Sequence, residues 1–246
     1  MKKKITNILN KKRKSKIVSL TAYSKNIAEI LDKYCDIILV GDSMANVLYG
    51  HKDTHKISLQ NIIQHTLSVK KGIKKSLLVV DMPKGSYSNK RLALKNARKI
   101  MNLTRCDAVK IESNKKNFSI IYELVKAKIP VMGHIGFTPQ FQKKFKIQGD
   151  SINAMNKLLK EALTIEKAGA FSLVLECLTP KASKLITNNL KIPTIGIGSS
   201  SNCDGQILVT DDMLGMSGFY PKFVKKYALL NRICLLYTSD AADESV

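Results

Sequence analysis

Apolar residues along this chain cluster in eight short runs rich in Ile, Val and Leu, each followed by polar residues. The runs are KIVSL (16–20), DIILV (36–40), LLVVD (77–81), AVKIE (108–112), IPVMGH (129–134), FSLVLE (171–176), IPTIGI (192–197) and QILVT (206–210). Between most of them the period changes to that of an amphipathic helix, as in SKNIAEILDKY, SLQNIIQHTLSVKKGI, SNKRLALKNARKIMNL, NFSIIYELVKAK and SINAMNKLLKEALTIEKAG. Strand alternating with helix predicts parallel strands joined by right-handed crossovers. Eight such units predict an α/β fold consisting of a single (β/α)8 TIM-type barrel, which takes about 250 residues. Ser58, Ser88 and Ser151 stand where helix N-caps are expected, and Gly72 and Gly169 where helices should stop. Pro130 and Pro193 sit at the openings of strands. The link between the seventh and eighth runs, GSSSNCDG, is too short for a helix.

An open doubly wound sheet is the alternative, but it needs a G-x-G-x-x-G turn after its first strand, and LTAYSKN has none. GIGS (196–199) follows the seventh strand instead; its glycines suit either a ligand approaching the backbone or a tightly packed turn.

Four acids mark the ends of the runs: Asp42, Asp81, Glu112 and Glu176. In a closed barrel the C-terminal strand ends share one mouth, and carboxylates gathered there need a cation or a proton to relieve their repulsion. Asp42 and Asp81 suit a hard divalent ion such as magnesium, which accepts one or two carboxylates plus water and substrate oxygens. Such an ion can chelate an α-keto acid and polarise its carbonyl, making the neighbouring carbon acidic. Glu176 is then the candidate base. Lys110 points the same way as Glu112, two residues on, so it can pair a substrate carboxylate while Glu112 completes the metal shell directly or through water. Ser43 adds a hydroxyl beside Asp42. Each acid taken singly also suits a helix cap. His134, ending the fifth run, is either a hydrogen-bonded structural residue or a proton carrier. His51 and His55 have the spacing of a zinc-binding pair but fall in an expected loop without the helix and adjacent Glu that chemistry uses.

The 246 residues carry a net charge of +22, nearly all from lysine spread among Asn and Ile, with no Trp. That is the signature of AT-rich codon usage, and a specific nucleic-acid partner is not expected. No apolar run approaches the roughly 18 residues a membrane span requires, so no membrane partner is expected. The basic start, MKKKITNILNKKRKSK, lacks the apolar stretch of an export signal. The five cysteines form no C-x-x-C pair and fit free thiols in a reducing cytoplasm. Cys177 is expected to face away from Glu176, its strand neighbour, as a packed thiol. CLLYTSDAADE (234–244) resembles a translated sequencing adapter. Residues 1–233 are therefore expected to form the barrel, with 234–246 a non-native tail standing where the natural C-terminus is missing.

The motifs LTAY (20–23), ILVGDS (38–43), DMPKGSY (81–87), VKIE (109–112), PVMGHIGFTPQ (130–140), KIQG (146–149), LVLEC (173–177), IPTIGIG (192–198) and CDGQILVTDDMLG (203–215) together closely resemble the ketopantoate hydroxymethyltransferase family, in order, from about residue 5 to about 233. The resemblance implies a magnesium-dependent barrel enzyme of pantothenate synthesis. It transfers a hydroxymethyl group from 5,10-methylenetetrahydrofolate to α-ketoisovalerate, through a magnesium-bound enolate, to give ketopantoate. It implies metal binding by Asp42 and Asp81 with Glu112 near, keto-acid binding by Ser43 and Lys110, proton acceptance by Glu176, and a site role for His134. A homo-oligomer, a decamer in well-known members, is implied as well. Ala45, Lys84 and the serine loop at 199–202 depart from the family pattern. None is an expected ligand, though Lys84 and the loop bear on how folate is held. Another magnesium-dependent carbon–carbon lyase acting on an α-keto acid is the competing enzyme class, separated by GHIGFTPQ and CDGQ. A nucleic-acid-binding protein is the competing non-enzyme class, resting on charge alone.

Overall fold

The structure is a computed structural model that describes residues 3–113, 117–142, 144–218 and 220–243. Eight parallel strands close into a barrel in sequence order: β1 (Ile17–Thr21), β2 (Ile37–Val40), β3 (Leu77–Asp81), β4 (Ala108–Glu112), β5 (Val131–Gly136), β6 (Ser172–Glu176), β7 (Thr194–Ile197) and β8 (Gly205–Leu208). All eight expected runs are therefore strands, and the expected (β/α)8 architecture is the one observed. The described helices are α1 (Lys3–Asn10), α2 (Lys25–Leu31), α3 (Met44–Val47), α4 (Leu59–Gly72), α5 (Lys90–Thr104), α6 (Phe118–Lys126), α7 (Ile152–Lys167), α8 (Pro180–Asn189), α9 (Thr210–Met213) and α10 (Leu230–Asp243), with a 3-10 turn at Thr54–Lys56.

Alternation along each strand separates two cores. Outward residues such as Ile38, Val40, Leu78, Val80, Val109 and Ile111 pack under the helices. Inward residues such as Ile37, Leu39, Leu77, Val79, Ala108 and Met132 fill the barrel. Ile5 and Ile8 of α1 join this inner core. The lysines around them tie the helix to residues that precede strands: Lys4 donates to the Ser76 carbonyl at 2.7 Å, Lys11 pairs with Asp36 at 2.6 Å and Lys12 with Asp204 at 2.7 Å. The basic N-terminal segment is thus a stopper for the barrel floor.

Helix signals hold with two changes. Ser58 caps α4 in a reciprocal box with Asn61, and Ser151 caps α7 by accepting from the Ala154 N–H. The cap of α5 is Asn89, one residue after the expected Ser88, because its longer side chain reaches the Leu92 N–H at 2.9 Å. Gly169 takes a positive φ of 93° after α7, as a stop glycine does. Gly72 instead remains inside α4, where a Cβ would lie 2.5 Å from the Lys25 carbonyl oxygen. Its role is close packing against the start of α2.

The chain divides into two compact units, residues 1–207 and 208–246. The division falls at the last residue of β8, whereas the expected boundary after residue 233 lies inside α10. Within the second unit, main-chain bonds from Tyr227 to Met213 at 2.9 Å and from Leu230 to Leu214 at 3.1 Å hold α9 beside the start of α10. No helix among the described residues is long and apolar enough to cross a membrane.

Candidate active site

The inward rows change character as they rise. Leu77 and Val79 lead to Asp81 on β3, Ala108 leads to Lys110 and Glu112 on β4, Met132 leads to His134 on β5, and Val174 leads to Glu176 on β6. Parallel register brings these polar ends together: Asp81 is the partner of Lys110, Glu112 of His134, and Gly136 of Glu176. A packed apolar floor therefore carries a charged upper layer, with Asp42, Asp81, Lys110, Glu112 and His134 each less than a tenth exposed.

Nζ of Lys110 donates to Oδ1 of Asp81 at 2.7 Å, and the main-chain N–H of Asp42 donates to Oδ2 of Asp81 at 3.0 Å. Oδ2 of Asp42 accepts from the side-chain amide of Gln140 at 2.8 Å, and Oε2 of Glu112 accepts from the Gln140 main-chain N–H at 2.9 Å. His134 lies between two acids, its Nε2 3.1 Å from Oε2 of Glu176 and its Nδ1 3.9 Å from Oε1 of Glu112. Ser43 shares a hydrogen bond of 2.8 Å with the Tyr23 hydroxyl.

The helix-cap alternative does not describe these residues. Ser43 precedes α3 without making a side-chain cap bond, and Asp42 is engaged with Gln140 instead.

Electrostatics explain what the cluster lacks. Burial and the neighbouring Asp81 push Asp42 up to about 7, against the pull of Lys110 and the Gln140 amide. Burial, reinforced by Asp42, raises Glu112 well above the usual carboxylate range. Burial raises Glu176 to about 8. Burial opposes the charge on Lys110, but Asp81, Asp42 and Glu112 outweigh it and raise its pKa. His134 is pushed well below the usual imidazole range by burial and by Lys110, so it is neutral at pH 7. Four acids thus surround one lysine, and three of them hold protons more tightly than an exposed carboxyl because burial, with repulsion from neighbouring acids, outweighs the lysine's single positive charge.

A hard divalent cation fits that deficit, since the donors are all oxygen and magnesium takes one or two carboxylates with water completing its shell. Among the described residues no three His, Cys, Asp or Glu side chains form a closed ligand set. Asp42 and Asp81 are the acids expected from the sequence to hold such an ion, and Gln140 bonds both Asp42 and Glu112 beside them.

Other expectations resolve locally. Cys177 is buried in a left-handed conformation with φ 53°, and burial pushes its thiol up to about 12, as a packed protonated thiol requires. A Cβ on Gly196 would meet Gln206 and Cys203 side-chain atoms at 3.0 to 3.1 Å, which favours the tight-packing role for GIGS. His55 lies in the 3-10 turn, with Nε2 3.1 Å from both the Pro139 carbonyl and Nζ of Lys84. Gln140, Tyr87 and Tyr23 were not among the expected site residues, although GFTPQ, DMPKGSY and LTAY contain them. Their partners lie far off in sequence, and no local period marks them.

The sequence matches the family model for ketopantoate hydroxymethyltransferase over residues 2–239. The chain belongs to the ketopantoate hydroxymethyltransferase family. Among relatives, it is 51% identical over 232 residues to a 3-methyl-2-oxobutanoate hydroxymethyltransferase of Pelagibacter ubique, covering 94% of this chain and 90% of that protein. A protein of the same name from Clostridioides difficile is 46% identical over 241 residues, covering 95% and 87%. Solved structures share the fold at low identity. A 2,3-dimethylmalate lyase of the PEP mutase/isocitrate lyase superfamily has a TM-score of 0.63 at 16% identity, covering 98% of each chain. A phosphonopyruvate hydrolase complex with oxalate and Mg++ has a TM-score of 0.66 at 10% identity, covering 97% of this chain and 86% of that one. Membership of the ketopantoate hydroxymethyltransferase family, rather than that shared fold, separates the chain from the lyase alternative.

Proposed function

We propose that this protein transfers a hydroxymethyl group from 5,10-methylenetetrahydrofolate to α-ketoisovalerate, giving ketopantoate for pantothenate synthesis, with magnesium held by Asp42 and Asp81. The observation that carries this reading is the gathering of four carboxylates around Lys110 on an apolar floor, in a chain of this family. Bound magnesium supplies Lewis acidity that polarises the keto carbonyl. Glu112, held by the Gln140 N–H, would complete the metal shell directly or through water. Lys110 offers its ammonium group to the substrate carboxylate, with the Ser43 hydroxyl beside it.

Glu176 takes the C3 proton of the keto acid. Burial holds its carboxyl near the operating pH, which suits a group that must both accept and return a proton. Neutral His134, its Nε2 3.1 Å from Oε2 of Glu176, stands beside that carboxyl without adding charge. The carbon freed of its proton forms a bond to the one-carbon unit, whose two bonds to folate nitrogens break, the nitrogens taking up the C3 proton and one proton of the incoming water. Water supplies the hydroxyl oxygen. Exclusion of bulk water by the buried layer limits return of the proton before transfer.

A homo-oligomer, decameric as in well-known family members, and a cytoplasmic location complete the proposal. Five cysteines that are all free suit a reducing compartment. Equilibrium sedimentation measures the assembly.

The deciding experiment is deuterium exchange at C3 of α-ketoisovalerate, with and without magnesium, for the wild type and Glu176→Gln. Metal-dependent exchange that disappears in the variant is expected. Exchange undiminished in Glu176→Gln would reject Glu176 as the base.

A further inference from the structure

Gln140 follows β5 and is 1% exposed. Its Nε2 donates to Oδ2 of Asp42 at 2.8 Å and to the Met82 carbonyl at 3.0 Å, and its Oε1 meets the Tyr87 hydroxyl. Its main-chain N–H reaches Oε2 of Glu112 at 2.9 Å. One residue therefore holds two acids that project from different parts of the barrel rim.

The direction of these bonds follows from chemistry. A main-chain carbonyl only accepts, so the Gln140 nitrogen must face Met82. That turns Oε1 toward Tyr87, whose hydroxyl must then donate. Tyr87 is itself buried and its phenol is held protonated, by burial first and by Glu112 and Asp42 next, so it serves as a fixed donor. Asp42 consequently receives an N–H on one oxygen, an interaction that favours its ionised form and stops its rotation. The other oxygen is the one left to offer a cation.

We propose that Gln140, braced by Tyr87, is a positioning residue that orients Asp42 and Glu112 toward a divalent cation. The inference rests on the metal reading given above. Neutrality is what the position requires: a glutamate there would add a fifth acid to the cluster, and a lysine would compete with the metal for Asp42. Gln140 supplies a donor without changing the charge.

The test is binding of Mn2+, followed by the paramagnetic resonance signal of the free ion, to the wild type, Gln140→Met, Tyr87→Phe and the double variant, with thermal melting as the check on folding. Gln140→Met should weaken Mn2+ binding about tenfold or more, in the range found for groups that orient metal ligands. Tyr87→Phe should weaken it less, and should add nothing once Gln140 is replaced. A role in packing alone would lower the melting temperature and leave Mn2+ affinity unchanged, as would wild-type affinity in a folded Gln140→Met; either overturns the inference while leaving the metal reading intact. If Gln140→Met does not fold, unchanged affinity in Tyr87→Phe overturns it. A wild type that binds no Mn2+ overturns the metal reading, and this inference with it.

Discussion

Nζ of Lys110 lies 2.7 Å from Oδ1 of Asp81, and the two residues are direct register partners on β4 and β3. Their side chains are 7% and 3% exposed. The pair is therefore a buried ion pair built into the barrel wall, and the lysine is held to one acid while two more raise its pKa. Substrate carboxylate and metal can divide this pair between them, each taking the partner of opposite charge.

Removing the lysine alone leaves several buried acids without their cation. Lys110→Met should lower stability by about 3 kcal/mol, the scale for breaking one half of a buried pair. Urea unfolding at neutral pH measures it, and an unchanged midpoint would show that the acids have already shed their charge.

The tops of β5 and β6 touch through Gly136. Its φ is 95°, and a Cβ there would stand 2.1 Å from the Glu176 carbonyl oxygen, which accepts the Phe137 N–H at 2.9 Å. Gly136→Ala should cost about 2 kcal/mol or more through strain and displacement of β6. C3 exchange should fall with it because Glu176 moves. A variant that melts and exchanges like the wild type would disprove the tight coupling.

Asp204 contributes to acid stability at the base of the barrel. Burial alone would raise its carboxyl, but the Lys12 ammonium, the Thr194 N–H and the Arg13 N–H together outweigh burial and hold it below the ordinary 3.8. A folded-state pKa below the unfolded one adds stability that is present above that ordinary value and is lost as the pH falls through the folded pKa. Asp204→Asn should therefore be less stable at pH 7 by about 3 kcal/mol, with a shallower further loss below pH 4. Parallel acid titrations of the two proteins by circular dichroism would refute this.

Thiol chemistry distinguishes packed from accessible cysteines. Cys35, Cys106, Cys177 and Cys203 are buried, and burial pushes Cys35 to about 11 and Cys177 to about 12, whereas Cys234 is exposed. A disulfide exchange reagent at pH 8 should label Cys234 rapidly in the native protein and the other four only after unfolding. Rapid native labelling at Cys177 would contradict its packed position.

Legibility followed locality. LLVVD and AVKIE became β3 and β4 with the bounds read from the sequence, because each run ends on a charge that also ends its strand. The acids stood out for the same reason. α1 was passed over although Ile5, Ile8 and Leu9 have helical spacing, because two turns of helix in a basic start are too short to mark an element until the barrel floor covers them. The link between Gln140 and Asp42 was hidden too, because 98 residues separate them and an amide in a turn has no periodicity. What sequence spacing cannot express is which distant side chain finishes a hydrogen bond.

The stopper formed by Ile5 and Ile8 makes the barrel a vessel with one opening. Reactants and products share that opening, so traffic is ordered by depth. On the proposed reaction, a keto acid set against Lys110 would bind before the folate, and its product would leave after the spent carrier. A chain lacking its first helix would expose the apolar underside formed by residues such as Ile37, Leu77 and Met132, trading a sealed base for a surface prone to association.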